Sequence, residues 1–156
     1  MRKIYIIGTR HSYQIRPQDA PNDGADAFKK HLWNAVRKYE IKLIAEEMSI
    51  EALKGRHTVG FEIAKEENLP HILCDPTSLE RQALGISESD TLSDLAKREN
   101  EWLRRILKHN EDPVLFVCGA NHVSSFGQRC QKQGLEVGIA AADFEAPDIP
   151  LDKQII

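Results

Sequence analysis

Pro113-Val114-Leu115-Phe116-Val117-Cys118-Gly119-Ala120-Asn121-His122 is a short apolar run that stops at a glycine and passes at once into a helical pattern. A continuous run of β-branched and aromatic side chains of this length is the pattern of a strand buried on both faces. The chain opens the same way, with Lys3–Ile7 running into Gly8-Thr9-Arg10-His11. Two such strands, each ending in Gly-x-x-His, occur in a chain with only six histidines. The pattern predicts a fold that brings His11 and His122 together at one edge of a sheet.

Working outward, Ile41–Ala45 reads as a second strand that runs into Glu46-Glu47. His71–Cys74 reads as a third, ending at Asp75-Pro76, and Leu135–Ala140 as a fifth, after Val114–Cys118. Helical spacing joins them. Ala25, Phe28, Leu32, Val36 and Tyr39 recur on one face, widened by Trp33. Met48–Leu53 and Thr58–Glu67 follow, broken at Gly55 and closed before Pro70. Thr77–Ser89 reads as a short helix and a turn. A long helix, capped by Asp90 or Ser93 and running to about His109, carries Leu92, Leu95, Trp102 and Ile106 on one face, with Arg98 among them. Val123–Gln133 is the last helix, stopped by Gly134. The polar segment from His11 to Gly24, with Pro17, Pro21 and Asn22-Asp23-Gly24, has loop chemistry, and its length suits either a substrate-facing lid or a plain surface excursion. Alternating strands and helices imply right-handed crossovers and an α/β fold: a mostly parallel sheet of about five strands with helices on both faces. Residues 1–145 read as one domain. Residues 146–156, with Pro147 and Pro150, read as an extended tail whose Gln154-Ile155-Ile156 docks on this subunit or on a second copy.

A chain of 156 residues is the size of one domain, burying about 68–70% of its unfolded surface. Apolar residues at 41% and charged residues at 29% are ordinary for a soluble globular protein. A net charge of −3 offers no general attraction to nucleic acid or anionic lipid. The apolar runs fall far short of the ~20 residues that span a bilayer, and the one near the basic start is too short for a signal peptide. Cys74, Cys118 and Cys130 are odd in number and scattered, and read as reduced, buried thiols of a cytoplasmic protein. The sequence has no GxGxxG turn, no GxxxxGK[ST] loop and no GxSxG elbow.

Ligands of an open parallel sheet bind beyond the carboxyl ends of its strands. His11 follows the first strand, Glu46 and Glu47 the second, Asp75 the third, and Asn121 and His122 the fourth. Adjacent strand residues face opposite sides, so at most one of the two glutamates need face the site, and the spacing leaves open which. Two imidazoles and a carboxylate suit a divalent ion with open positions for water; manganese, zinc and cobalt all fit that description. Gly8 and Gly119 would let a ligand approach the main chain. With Arg10, Asp75 and Asn121 they form the expected substrate-binding set. Arg98, on an apolar stripe, needs either a buried carboxylate or an anionic or carbonyl group of a substrate. Glu101, near it on the same helix, either shares its role or keeps the helix soluble. Ser124 and Ser125 would be nucleophiles only with a base brought from elsewhere.

The segments IYIIGTRHS (Ile4–Ser12), LIAEEMS (Leu43–Ser49), KRENEWLRRI (Lys97–Ile106) and FVCGANHV (Phe116–Val123) resemble the superfamily joining TraB/PrgY, Tiki, GumN, ChaN and erythromycin-esterase-like proteins. Members share paired Gly-x-x-His motifs, an acidic residue after the second strand and an arginine on an intervening helix. Gly8 and His11, Glu46 or Glu47, Arg98, and Gly119 and His122 match these in order. The resemblance implies metal-assisted hydrolysis, the Tiki branch being described as a metal-dependent protease and the esterase branch as opening a lactone. This chain is shorter than typical members, which carry additional helices around the sheet, so a more open cleft is expected.

These readings converge on a metal-dependent hydrolase of an ester, amide or phosphoester bond in a small-molecule or peptide substrate. His11, His122 and Glu46 or Glu47 would hold the ion, with His122 also in the reaction, and Arg98 would stabilise the oxyanion or a substrate anion. The other glutamate, or Asp75, would be the general base. Without a metal, His11 and His122 would themselves be base and acid. The competing reading is a non-catalytic module that binds a small anion or peptide signal in the same cleft. A nucleic-acid phosphodiesterase comes third. It rests on Arg2, Lys3, Arg10, Arg16, Lys29, Lys30, Arg37 and Lys38, and such charge runs are usually solvated faces.

Overall fold

Val114–Gly119 is the middle strand of the sheet, and every one of its residues is buried. The computed structural model describes residues 1–17, 23–88 and 91–146. Its five strands are β1 (Lys3–Thr9), β2 (Leu43–Glu46), β3 (His71–Leu73), β4 (Val114–Gly119) and β5 (Glu136–Ala141). They pair in parallel in the order β3-β2-β4-β1-β5. The helices are α1 (His11–Gln14), α2 (Asp23–Lys38), α3 (Ile50–Leu53), α4 (Val59–Glu66), α5 (Ser78–Leu84), α6 (Leu92–Leu107) and α7 (Val123–Lys132). The α/β fold expected from the strand-helix alternation is the fold observed.

Side-chain alternation divides the core in two. On one face Ile4, Ile6, Leu43, Ala45, Phe116 and Cys118 pack with Trp102, Leu103 and Ile106 of α6 and Phe126 of α7. On the other, Ile7, Ile44, Leu115 and Val117 pack with Phe28 and Leu32 of α2 and Val59 and Ile63 of α4. Each of the Val, Leu, Ile and Phe side chains among them contributes about 1.5–3 kcal/mol when taken fully out of water. The chain therefore leaves β1 and β2 towards one face and β4 towards the other. Neighbouring strands whose connections diverge open a crevice at their carboxyl ends, the topological switch point of an open sheet.

Several local expectations shift. The stretch from His11 is not loop throughout: His11–Gln14 form a helical turn, Ile15 makes a bridge to Thr58, and α2 already begins at Asp23. The remainder of the expected lid, residues 18–22, lies outside the described residues, as does the tail from 147, including its expected docking contact. Thr91, rather than Asp90 or Ser93, caps α6, its hydroxyl accepting from the Asp94 amide. Trp102 and Ile106 are buried as expected, but Leu92 is 87% exposed, so the buried stripe of that helix departs from the expected one at its start. It runs through Glu99, Trp102, Leu103 and Ile106, at the i, i+3, i+4, i+7 spacing of one helix face. Among the described residues no helix is long and apolar enough to cross a membrane.

Gly8 is required by the packing of the chain itself. A Cβ there would stand 2.2 Å from the Ala142 carbonyl oxygen and 2.5 Å from Val123 Cγ2. The segment after β5 closes over this point, with Phe144 N–H donating to Gly8 O at 2.7 Å. Gly8→Ala is therefore expected to destabilise the fold by about 3 kcal/mol, the upper end of ordinary overpacking, because one clashing atom is backbone. A lower urea midpoint at unchanged slope is the measurement that checks it.

Candidate functional site

Register decides where the two adjacent acids go. Glu46 pairs with Val117 of β4 and lies in phase with Ile44, so it points towards α4. Glu47, one residue on, lies in phase with Ala45 and points towards α6, its amide donating to Val117 O at 2.7 Å. Glu47 is the acid beside the histidines. Its Oε2 lies 3.7 Å from His11 Nε2 and 3.7 Å from His122 Nε2, too far for a hydrogen bond in either case. Its Oε1 accepts from the Gly119 amide at 2.8 Å. Arg98 Nη2 donates to Glu47 Oε2 at 2.9 Å, and Arg98 Nε to Asp75 Oδ1 at 3.2 Å.

Both imidazoles are held from behind. His122 Nδ1 lies 2.9 Å from Glu99 Oε2, which also accepts from Ser125 Oγ at 2.6 Å. His11 Nδ1 lies 2.7 Å from Gln14 Oε1. His122 is buried in a 3₁₀ turn, Ala120–His122, edge-on to Trp102 at 4.9 Å between ring centroids. His11 is half exposed, at the mouth of a cavity of about 190 Å³ lined by Ile15, Glu47, Ser49, Asp75 and Arg98 among others. Asp75 has its oxygens committed, to Arg98, Trp102 Nε1 at 2.9 Å and Arg81 at 2.8 Å, so it anchors the arginine.

Other expected site residues are placed elsewhere. Glu46, expected among the metal ligands, sits across the sheet with Gln14, Thr58 and His71. Arg10 is turned out to Glu145 at 2.8 Å. Asn121 is exposed, with Oδ1 lying over Gly119. Ser125 is bonded to Glu99 and not to an imidazole nitrogen. Glu101 is buried and taken by Arg104 and Arg105. The basic residues considered for nucleic acid are largely spent on partners: Arg16 and Lys29 meet on Glu62, Arg37 lies over Trp33 and against Glu67, and Lys3 faces Glu136. The cysteines are buried and unpaired with one another; burial pushes the Cys118 thiol well up and that of Cys130 to about 12, so neither is a ready nucleophile.

Gln14, Glu99, Arg81 and Arg129 belong to this constellation without having been singled out in the sequence. Gln14 had a signal, standing one helical turn after His11. Glu99 had a stronger one, since it lies three, four and seven residues before Trp102, Leu103 and Ile106.

Among the described residues, no group of three or more His, Cys, Asp and Glu side chains is placed to hold a metal ion. The local charges also balance: Glu47 and Asp75 face Arg98 and Arg81, and Glu99 faces Arg129. Burial opposes the charged form of His122, but its hydrogen bond to the Glu99 carboxylate and the nearby Glu47 outweigh it and raise its pKa. A divalent cation would enter a site with no excess of negative charge. As they stand, these residues do not fit a resident divalent ion. Comparison with family models, with curated proteins and with solved structures finds no match.

His122 should titrate above its ordinary value of 6.5, and Glu99→Gln should bring it down, as imidazole NMR signals followed against pH would show. Because the folded pKa is raised, the stability this histidine contributes is full below about pH 6.5 and is lost as pH rises through the folded value. Burial opposes the Glu99 charge, but its hydrogen bonds with His122, Ser125 and Arg129 prevail and lower its pKa. Its contribution is present above its ordinary 4.5 and is lost as pH falls through the depressed value.

Proposed function

We propose that the chain is a hydrolase working by general acid–base chemistry, with His11 as the base. The observation that carries this reading is the convergence of His11, Glu47, Asp75 and Arg98 on one cavity at the carboxyl edge of the sheet. His11 takes a proton from a water molecule in that cavity. The imidazolium so formed is stabilised by Glu47, whose Oε2 is 3.7 Å from Nε2, and it passes that proton to the leaving oxygen or nitrogen as the bond breaks. Arg98, oriented by Glu47 and Asp75, supplies positive charge to the oxygen that becomes negative as an ester, amide or phosphoester bond is attacked. His122, behind Glu47, is pushed towards its charged form, and when protonated it adds positive charge from the other side and offsets the repulsion of that oxygen by the carboxylate. A cavity of about 190 Å³ suits a small molecule or the end of a peptide. The resemblance to the TraB/PrgY–Tiki–esterase-like superfamily supports the same reaction class and differs over the metal.

Screening of ester, peptide and phosphoester libraries is expected to find turnover that survives EDTA. His11→Ala should then lower kcat/KM by about 10²–10⁴-fold, the usual contribution of a general base, without changing the circular dichroism spectrum. Turnover abolished by EDTA and restored by manganese, zinc or cobalt, with stoichiometric metal by mass spectrometry, would overturn the metal-free mechanism and put an ion at His11, His122 and Glu47. Thermal stabilisation by anionic metabolites with no turnover in any library would overturn the hydrolase reading in favour of a binding module.

A further inference from the structure

We propose that Glu46, on the far side of the sheet from the cavity, is a positioning residue that fixes the tautomer of His11 through Gln14. The inference takes up the reading of His11 as a base, but the geometry stands without it. Glu46 is fully buried at the end of β2. Its Oε2 accepts from Thr58 Oγ1 at 2.5 Å and lies 2.6 Å from His71 Nε2. Its Oε1 accepts from Gln14 Nε2 at 3.2 Å. Gln14, also fully buried, is the last residue of α1 and stands one turn beyond His11.

The donor and acceptor inventory leaves one solution. As an ionised carboxylate, Glu46 offers Gln14 only lone pairs on Oε1, so the amide turns its NH₂ to Glu46 and its oxygen to His11. His11 Nδ1, 2.7 Å from that oxygen, must then be the N–H. In the neutral imidazole the lone pair is left on Nε2, the nitrogen that faces Glu47. Free histidine favours the opposite tautomer, which would present an N–H there and could not act as a base. His122 receives its orientation directly from the carboxylate of Glu99; His11 receives its own from a carboxylate relayed by an amide.

The surroundings are built for this bond. A Cβ on Gly60 would lie 2.9 Å from the Glu46 carboxyl carbon, so only glycine lets α4 close over the group. Burying a carboxylate is costly, and an apolar side chain would fill the space without that cost. What Glu46 adds is a direction: a pure acceptor that forbids the Gln14 amide from flipping.

The test is the nitrogen-15 imidazole spectrum of the full chain under alkaline conditions, for wild type, Glu46→Gln and Gln14→Met. Wild-type His11 is expected as the Nδ1–H tautomer. In both variants that form should be lost to a mixture in which Nε2–H predominates. The His122 signals, held by Glu99, should stay in place and report an intact fold. Wild-type His11 in the Nε2–H form would overturn the proposal, as would an Nδ1–H form unchanged in a folded variant. If Glu46→Gln fails to fold, Gln14→Met and the wild-type tautomer decide. Because the readout is not turnover, a failure to find hydrolytic activity would leave this result standing, and the two readings fail separately.

Discussion

The pleat of β2 puts two adjacent carboxylates on opposite sides of one sheet, and much of the molecule is arranged to satisfy them. Both Glu46 and Glu47 are buried, at 0% and 3% exposure, and a buried carboxylate without partners would be prohibitively costly. Glu46 draws on α1, the residue before α4, and β3, through Gln14, Thr58 and His71. Glu47 draws on the end of β4 and on α6, through the Gly119 amide and Arg98. A slip of one residue in the pairing of β2 would exchange the two and strand both sets of donors. The polar network thus enforces the same register that the apolar alternation of Leu43, Ile44 and Ala45 selects.

Helix α6 links core and site. Arg98 and Glu99 are neighbours in sequence, yet one reaches Glu47 and Asp75 while the other reaches His122, Ser125 and Arg129. Trp102, one turn along, does both jobs. Its ring packs on Phe116 and Phe126 of the apolar core, and its N–H donates to the same Asp75 oxygen that takes Arg98. Displacing Trp102 would therefore loosen the core and the orientation of Arg98 together. A site supported in this way holds its charged groups within short range of one another without relying on surface ion pairs, which contribute little.

The electrostatics of the site follow from pairing more than from composition. Three carboxylates, Glu47, Asp75 and Glu99, are matched by guanidinium groups, and His122 is pushed towards its charged form. A chain with a net charge of −3 thereby carries a crevice that is not negative. This local balance leaves no surplus of negative charge to attract a divalent cation.

The sequence by itself determined the strands, their parallel arrangement and the edge at which His11, one of Glu46 and Glu47, Asp75 and His122 come together. Those depend on local periods: a short β-branched run ended by glycine reads as a buried strand whatever its neighbours, and parallel strands place their carboxyl ends on one edge. It did not determine which of Glu46 and Glu47 faces His11, because the pleat fixes only that they differ; the choice depends on which face α6 covers. The role of Glu99 was half legible, as a carboxylate in step with Trp102, Leu103 and Ile106, but the stripe anchored on Leu92 and Leu95 concealed it. The charge balance around Glu47 was legible only in part, as the need of Arg98 for a buried carboxylate or a substrate anion. Arg81, Arg98 and Arg129 lie far apart along the chain, and only the packing of α5, α6 and α7 around one strand edge brings them to three carboxylates, because ion pairing is decided by distance in space and not in sequence.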